Sequence, residues 1–211
     1  MIRRGVDLAV GLLGLVMTSP VVAAAALAVK LDSPGPAFYN GPRVGRGERQ
    51  FQIHKLRTMR AGAAGPAVTA GDDVRVTRVG RLLRRTKIDE LPQLLNVVKG
   101  DMSLVGPRPE HPRYVARYTP EQRRLLTVRP GVTGPATVAF IDEEEQLRGA
   151  DPEDRYVEEV MPRKLALELG YLERASPATD AAILLKTAGL VLTRQFAFLR
   201  GGRGRSPSQP G

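Results

Sequence analysis

Asp89 and Glu90 stand side by side in a stretch dominated by cations. Arg84, Arg85 and Lys87 precede them, and Arg108 follows 18 residues after Glu90, between Pro107 and Pro109. Adjacent carboxylates in such a field suit two chemistries. They offer hard oxygen ligands to a divalent cation such as magnesium, which must also hold substrate phosphates. Alternatively, one carboxylate can attack phosphorus while its neighbour holds metal or a proton. Arginines at proline-stiffened positions can brace a diphosphate through paired N–H bonds. A plainer reading stays open on spacing alone, because Asp and Glu ahead of Leu91-Pro92 are also ordinary capping and dipole-matching residues at a helix start.

The bulk charge agrees with a polyanionic ligand, and equally with a soluble surface carrying surplus charge. The chain carries a net charge of +10, and residues 75–129 hold 13 Lys or Arg against 5 Asp or Glu. Arg194, Arg200, Arg203 and Arg205 add to it near the C-terminus. Such a field attracts nucleic acid, anionic headgroups or a nucleotide-sugar diphosphate. The absence of cysteine excludes disulfides and thiolate metal sites, and two histidines make a zinc cluster a poor expectation. His54 reads as a half-buried strand position, and His111, among prolines, as surface. Ser103 and Thr133 have no His-Asp constellation to activate them. The glycines of 41–47 and 131–134 lack the Lys-Ser/Thr ending of a phosphate-binding P-loop.

The elements that must position the pair begin with a membrane segment. Residues 8–29 form 22 consecutive uncharged positions, roughly 33 Å as a helix and enough to cross a bilayer. Thr18-Ser19-Pro20 interrupts this run. Proline removes a backbone donor and kinks a helix, while Ser19 can return a hydrogen bond to a freed carbonyl. Either a kinked span or a re-entrant helix-break-helix follows. Arg3 and Arg4 favour the second, because a simple span with an inside N-terminus would export the basic domain.

Beyond the Ser33-Pro34-Gly35-Pro36 turn, residues 35–199 read as one small α-dominated α+β catalytic domain. Extended segments fall at 37–39 and 50–56, and a loose Ala/Gly-rich loop at 61–73. Helices are predicted at 75–85, at 89–100 with a stop at Gly100, at 120–126, at 162–172 and at 180–199. Residues 142–159 carry nine Asp or Glu against two Arg and read as a solvated face. The amphipathic segment 180–199 suits either a membrane interface or the core. Residues 200–211 read as a disordered basic tail.

The run Lys87-Ile88-Asp89-Glu90-Leu91-Pro92-Gln93, continuing to Gly106-Pro107-Arg108-Pro109, resembles the signature of the bacterial sugar transferase family. These are small monotopic phosphoglycosyl transferases acting on polyprenyl phosphate. Arg3-Arg4-Gly5-Val6-Asp7 with Thr18-Ser19-Pro20 is similar to the family's membrane hairpin. Pro42-Arg43-Val44-Gly45, Lys55-Leu56-Arg57-Thr58-Met59 and Arg129-Pro130-Gly131-Val132-Thr133-Gly134 are similar to its other blocks. Asp180, Ile183 and Thr187 are similar to its last helix. The resemblance implies that Asp89 is the nucleophile of a covalent phosphosugar intermediate, with Glu90 its partner in magnesium binding and acceptor activation. It implies that Arg84 and Arg108 hold phosphates, with Lys55, Arg57 and Arg129 as further contacts, and that Ser19-Pro20 sets the break. The implied partners are a nucleotide sugar, with UDP-sugar the expected donor, undecaprenyl phosphate and inner-membrane lipids. Nucleic acid is not among them, and homodimerisation is left open. The implied location is the bacterial inner membrane, with the catalytic domain facing the cytoplasm. The product would start exopolysaccharide, O-antigen or glycoprotein glycans. After Gly134 the chain departs from the family pattern, which leaves the sugar and base undetermined. The expected transfer is an in-line attack, in two displacements, on the phosphorus nearer the nucleoside.

A second class competes: a membrane-anchored binder of anionic lipid or nucleic acid. Its five Phe and five Tyr are scattered rather than interleaved with arginine, which argues against a single-strand stacking platform.

Overall fold

The computed structural model describes residues 2–200. Most of the tail expected to be disordered, 201–211, lies outside the described residues. One helix, α1 (Ile2–Asp32), fills the N-terminus without a break in its helical assignment, Pro20 included. The sequence explains why proline is tolerated there. Pro20 cannot donate to the Val16 carbonyl, and Ser19 Oγ donates to that oxygen instead at 2.8 Å; Thr18 Oγ1 donates to Gly14 at 2.7 Å. The helix is long and apolar enough to cross a membrane, and Leu12, Leu13, Val16, Met17, Leu27 and Leu31 are exposed on it.

Its other face is docked along the domain for its whole length. Arg4 donates to the carbonyls of Val97 and Val98, and Asp7 is buried with its carboxylate on Ser103 Oγ and the Leu104 amide. Gly11 and Gly14 leave room for Val97 and Leu94. Further on, Ala25 and Val29 join Leu56 and Leu83 in one buried cluster, and Asp32 accepts from the Val79 amide. The boundary expected between a membrane segment (1–34) and a catalytic domain (35–199) is therefore crossed by a shared core.

The domain is α+β, dominated by helices. Strands β1 (Phe38–Val44) and β2 (Gln50–Leu56) form an antiparallel hairpin with Phe38 opposite Leu56 and Val44 opposite Gln50. Helix α2 (Arg78–Thr86) is capped by Thr77, whose side chain accepts from the Gly80 amide. A 3-10 turn over Ile88–Gln93 leads into α3 (Leu94–Lys99), which stops at Gly100 with φ 93° as the sequence required. Strands β3 (Ser103–Val105) and β4 (Gly131–Thr133) pair in parallel and bring the two proline-rich turns together. The Gly106 amide donates to Thr133 and the Gly131 amide to Pro107. A Cβ on Gly131 would lie 2.1 Å from the Gly106 nitrogen, so this contact demands glycine.

Between these strands lies α4 (Pro112–Val115). After them come α5 (Pro135–Ala139), α6 (Glu143–Gln146) and α7 (Pro152–Arg155), then a single π-helical turn over Tyr156–Val160 that feeds α8 (Met161–Arg174). Helix α9 (Pro177–Arg200) closes the order. The largest core cluster gathers Tyr114, Leu125, Leu147, Tyr156 and Leu165. Val68 and Ala70 also belong to it, so the 61–73 segment is partly pinned rather than loose. On α9, Ile183 packs on the β3 cluster while Leu185, Leu192 and Phe196 are exposed. One side of that helix is therefore core, and the opposite side is exposed.

Candidate active site

The reversal that presents the carboxylate pair is Lys87, in the left-handed region at φ 58°. It ends α2 and starts the 3-10 turn, and neither Asp89 nor Glu90 serves as a side-chain cap. Both acids nevertheless lie in the first turn, where they also match its dipole. Asp89 is 5% exposed, and its Oδ1 is buried with no hydrogen-bond partner. Both acids line a cavity of about 160 Å³, together with Lys55, Arg84, Lys87 and Arg108.

Glu90 is tightly committed. Its Oε1 accepts from Lys55 Nζ at 3.0 Å and Arg108 Nη2 at 2.9 Å; its Oε2 accepts from Gln93 at 3.1 Å and Arg108 Nη1 at 3.3 Å. Arg108 thus grips the carboxylate with both terminal nitrogens. Burial opposes ionisation of Glu90, yet Arg108, Lys55 and Lys87 outweigh it and hold the group well below the usual carboxylate range. Asp89 behaves oppositely. Burial raises it, with Glu90 adding repulsion, and Lys55, Arg84 and Lys87 only partly offset this. Burial likewise lowers Lys55, against the pull of Glu90. Adjacent acids in one cavity are pushed apart, one fixed as a structural anion and one left available.

The scaffold fixes these groups by short routes. Asn96, fully buried, donates to the Gln52 carbonyl and accepts from the His54 amide, tying β2 to α3 and so Lys55 to Glu90. Arg84 is held by Glu144 at 2.7 Å and by Thr58 Oγ1 at 2.9 Å. Glu168 accepts from the Arg108 amide, and burial pushes its carboxyl up to about 7.

Of the residues expected at phosphates, Lys55, Arg84 and Arg108 meet in the cavity. Arg57 and Arg129 do not. Arg57 is buried and spends its guanidinium on Ser33, Pro36 and Met59, fastening the exit from α1. Arg129 binds the Gly100 carbonyl and faces a different cavity. The acidic stretch is mostly exposed, as expected, but Glu143 and Glu144 depart from it and line the cavity, with Glu143 paired to Lys164 at 2.7 Å. His111 also reaches the cavity wall, where it caps α4.

Sequence reasoning missed Arg43, Glu110, Tyr156 and Lys164, which form the far wall. Tyr156 donates to Glu110 at 2.5 Å, and Lys164 donates to both. A signal existed: Met161, Lys164, Leu165 and Glu168 share one buried helical stripe, and two charges on such a face need partners or a site. Gln93 and Asn96 gave no comparable sign.

A cationic cleft holding one committed and one unpartnered acid is suited to chemistry on phosphate groups. The chain belongs to the bacterial sugar transferase family, whose profile matches residues 1–194. It is 43% identical over 202 residues to the UDP-glucose:undecaprenyl-phosphate glucose-1-phosphate transferase of Caulobacter vibrioides, covering 93% of this chain and 72% of that relative. It is 37% identical over 197 residues to the UDP-N-acetylgalactosamine-undecaprenyl-phosphate N-acetylgalactosaminephosphotransferase of Aeromonas hydrophila, covering 91% of this chain but 44% of that relative. It is also 36% identical to the exopolysaccharide production protein PSS of Rhizobium leguminosarum, covering 93% of this chain and 98% of that protein.

Proposed function

We propose that the protein transfers a sugar-1-phosphate from a UDP-sugar to undecaprenyl phosphate in two displacements through an aspartyl-phosphosugar intermediate. The carrying observation is the Asp89 carboxylate, buried and unpartnered at Oδ1, in a cavity ringed by Lys55, Arg84, Lys87 and Arg108. Mass balance puts the attack on the phosphorus that bears the sugar, not the one nearer the nucleoside. An Asp89 oxygen bonds to that phosphorus, the phosphoanhydride bond breaks, and UMP leaves with the electron pair. The polyprenyl phosphate oxygen then displaces Asp89 from the same phosphorus. Its second pKa, about 6, leaves it largely a dianion at neutral pH, so no base is needed.

This narrows the role of Glu90. An anion held by Lys55 and Arg108 is a poor proton shuttle; it sets those cations to meet the diphosphate. Magnesium fits the residues present, since Asp89 Oδ1 is free and that ion typically takes one or two carboxylates plus substrate phosphates. Asp89 would hold it, and it would supply charge neutralisation on the diphosphate. Glu90, with both oxygens taken by Lys55, Gln93 and Arg108, is not placed to share it.

The re-entrant topology is part of this reading. The same domain grips α1 at Asp7 and at Asp32, although a straight helix would carry those ends to opposite membrane faces. Their joint docking supports both ends, and the cleft, lying on the cytoplasmic side of an inner membrane. The test is UMP release from a UDP-sugar panel by purified protein with undecaprenyl phosphate. Wild type releases UMP, while Asp89→Asn, folded and membrane-bound, releases none. Undiminished release by that variant would end the proposal, and a mere lipid binder would release none in either form.

A further inference from the structure

The arginine of the second proline-rich turn remains unexplained by the transfer chemistry. Arg129 faces a separate cavity of about 190 Å³, shared with Arg3, Arg46, Pro107 and Tyr171. No acid lines it. Among the described residues Arg129 uses only Nε, donating to the Gly100 carbonyl at 2.9 Å, which leaves two terminal nitrogens for a ligand. Arg46 is exposed and carries no ion pair among the described residues. Arg3 is satisfied on one side by the Val105 carbonyl, Tyr171 and Asp180, and keeps half its side chain exposed. Three guanidinium groups around one concavity, with two lacking anionic partners, repel one another unless an anion sits between them.

Its depth narrows the anion. Arg3 precedes the uncharged run at residue 8 by five residues, about 7.5 Å of helix. The cavity therefore lies just outside the apolar segment, at the level of lipid phosphates. Arginine favours phosphate through its forked donors.

We propose that the Arg3–Arg46–Arg129 cavity is a second anion site that seats the phosphate of an anionic phospholipid headgroup beside the foot of α1. It rests on the membrane placement argued above, but not on the transfer chemistry. The probes are phosphatidylglycerol, phosphatidylcholine and inorganic phosphate, each titrated against full-length protein in neutral detergent and read by native mass spectrometry. Wild type is expected to retain phosphatidylglycerol over phosphatidylcholine. Arg46→Gln should weaken that preference about fivefold, the effect of one basic residue at a lipid surface, and Arg46→Lys should restore most of it. UMP release by Arg46→Gln in neutral detergent should be unchanged, so loss of lipid preference with intact turnover separates this site from the catalytic reading. Equal retention of both lipids by wild type, or a preference untouched in Arg46→Gln, would overturn the proposal. So would displacement of the lipid by inorganic phosphate at equal concentration, which would mark a free-anion site.

Discussion

Replacing Arg108 by methionine keeps the apolar stem but removes the fork that holds Glu90. The side chains of Glu90 and Arg108 are 13% and 25% exposed, so the anion would stay buried after losing its principal partner. Breaking a buried pair from one side costs about 3–5 kcal/mol. Lys55 remains 3.0 Å from Glu90, which places the expected cost at the lower end, about 3 kcal/mol. For a chain of this size that lowers the melting midpoint by about 6–12 °C. Thermal unfolding followed by circular dichroism is the suitable assay, because the chain has no tryptophan. Adding Glu90→Gln should recover about 2 kcal/mol or more, since the stranded charge is gone. Both variants should lose transfer. A loss below about 1 kcal/mol for Arg108→Met, or simple additivity in the double variant, would refute the idea that these groups form one buried unit.

Chelation of divalent metal should stop UMP release and added magnesium restore it; turnover persisting in chelator would remove the metal from the reading. Glu168 has a folded pKa near 7 against 4.5 for the free group, so its contribution to stability is full below pH 4.5 and is lost as pH rises through 7. The loss is about 3 kcal/mol. Glu168→Gln should flatten that decline in melting midpoint, and an unchanged pH profile would show that Glu168 is not the titrating group. Pro20→Leu removes the kink-forming residue and should shift α1 toward a span. Single-cysteine reporters near each end of α1 should label from one membrane side in wild type and from both sides in the variant; identical labelling would count against Pro20 as the determinant of topology.

Local signals carried well from sequence to structure. Gly100 stopped α3 where its left-handed geometry was needed, and the apolar spacing after Arg75 gave α2 within three residues. The carboxylate pair and three of its cations were legible because proline and charge crowd the same short stretch. Arg57 and Arg129 were misplaced because an arginine's sequence does not say whether its donors meet a ligand or a nearby carbonyl. The far wall was hidden for a different reason. Glu110 meets Tyr156 and Lys164 from 46 and 54 residues away, and nothing local announces such a pairing. At residues 142–159 the solvated reading holds for most of the acids, which are exposed, but Glu143 and Glu144 turn to Lys164 and Arg84, pairings that composition does not announce.

Because α1 contributes Ala25 and Val29 to the cluster of Leu56 and Leu83, and Asp7 to the Ser103 hydroxyl, anchor and catalyst are one cooperative body. Trimming the helix to obtain a water-soluble fragment would bare Val97 and Leu94 and orphan the Leu104 amide. The fragment would then be prone to clump before it could be assayed. Stripping the lipid-facing residues of α1 while keeping its domain-facing ones is the more promising route to a soluble enzyme.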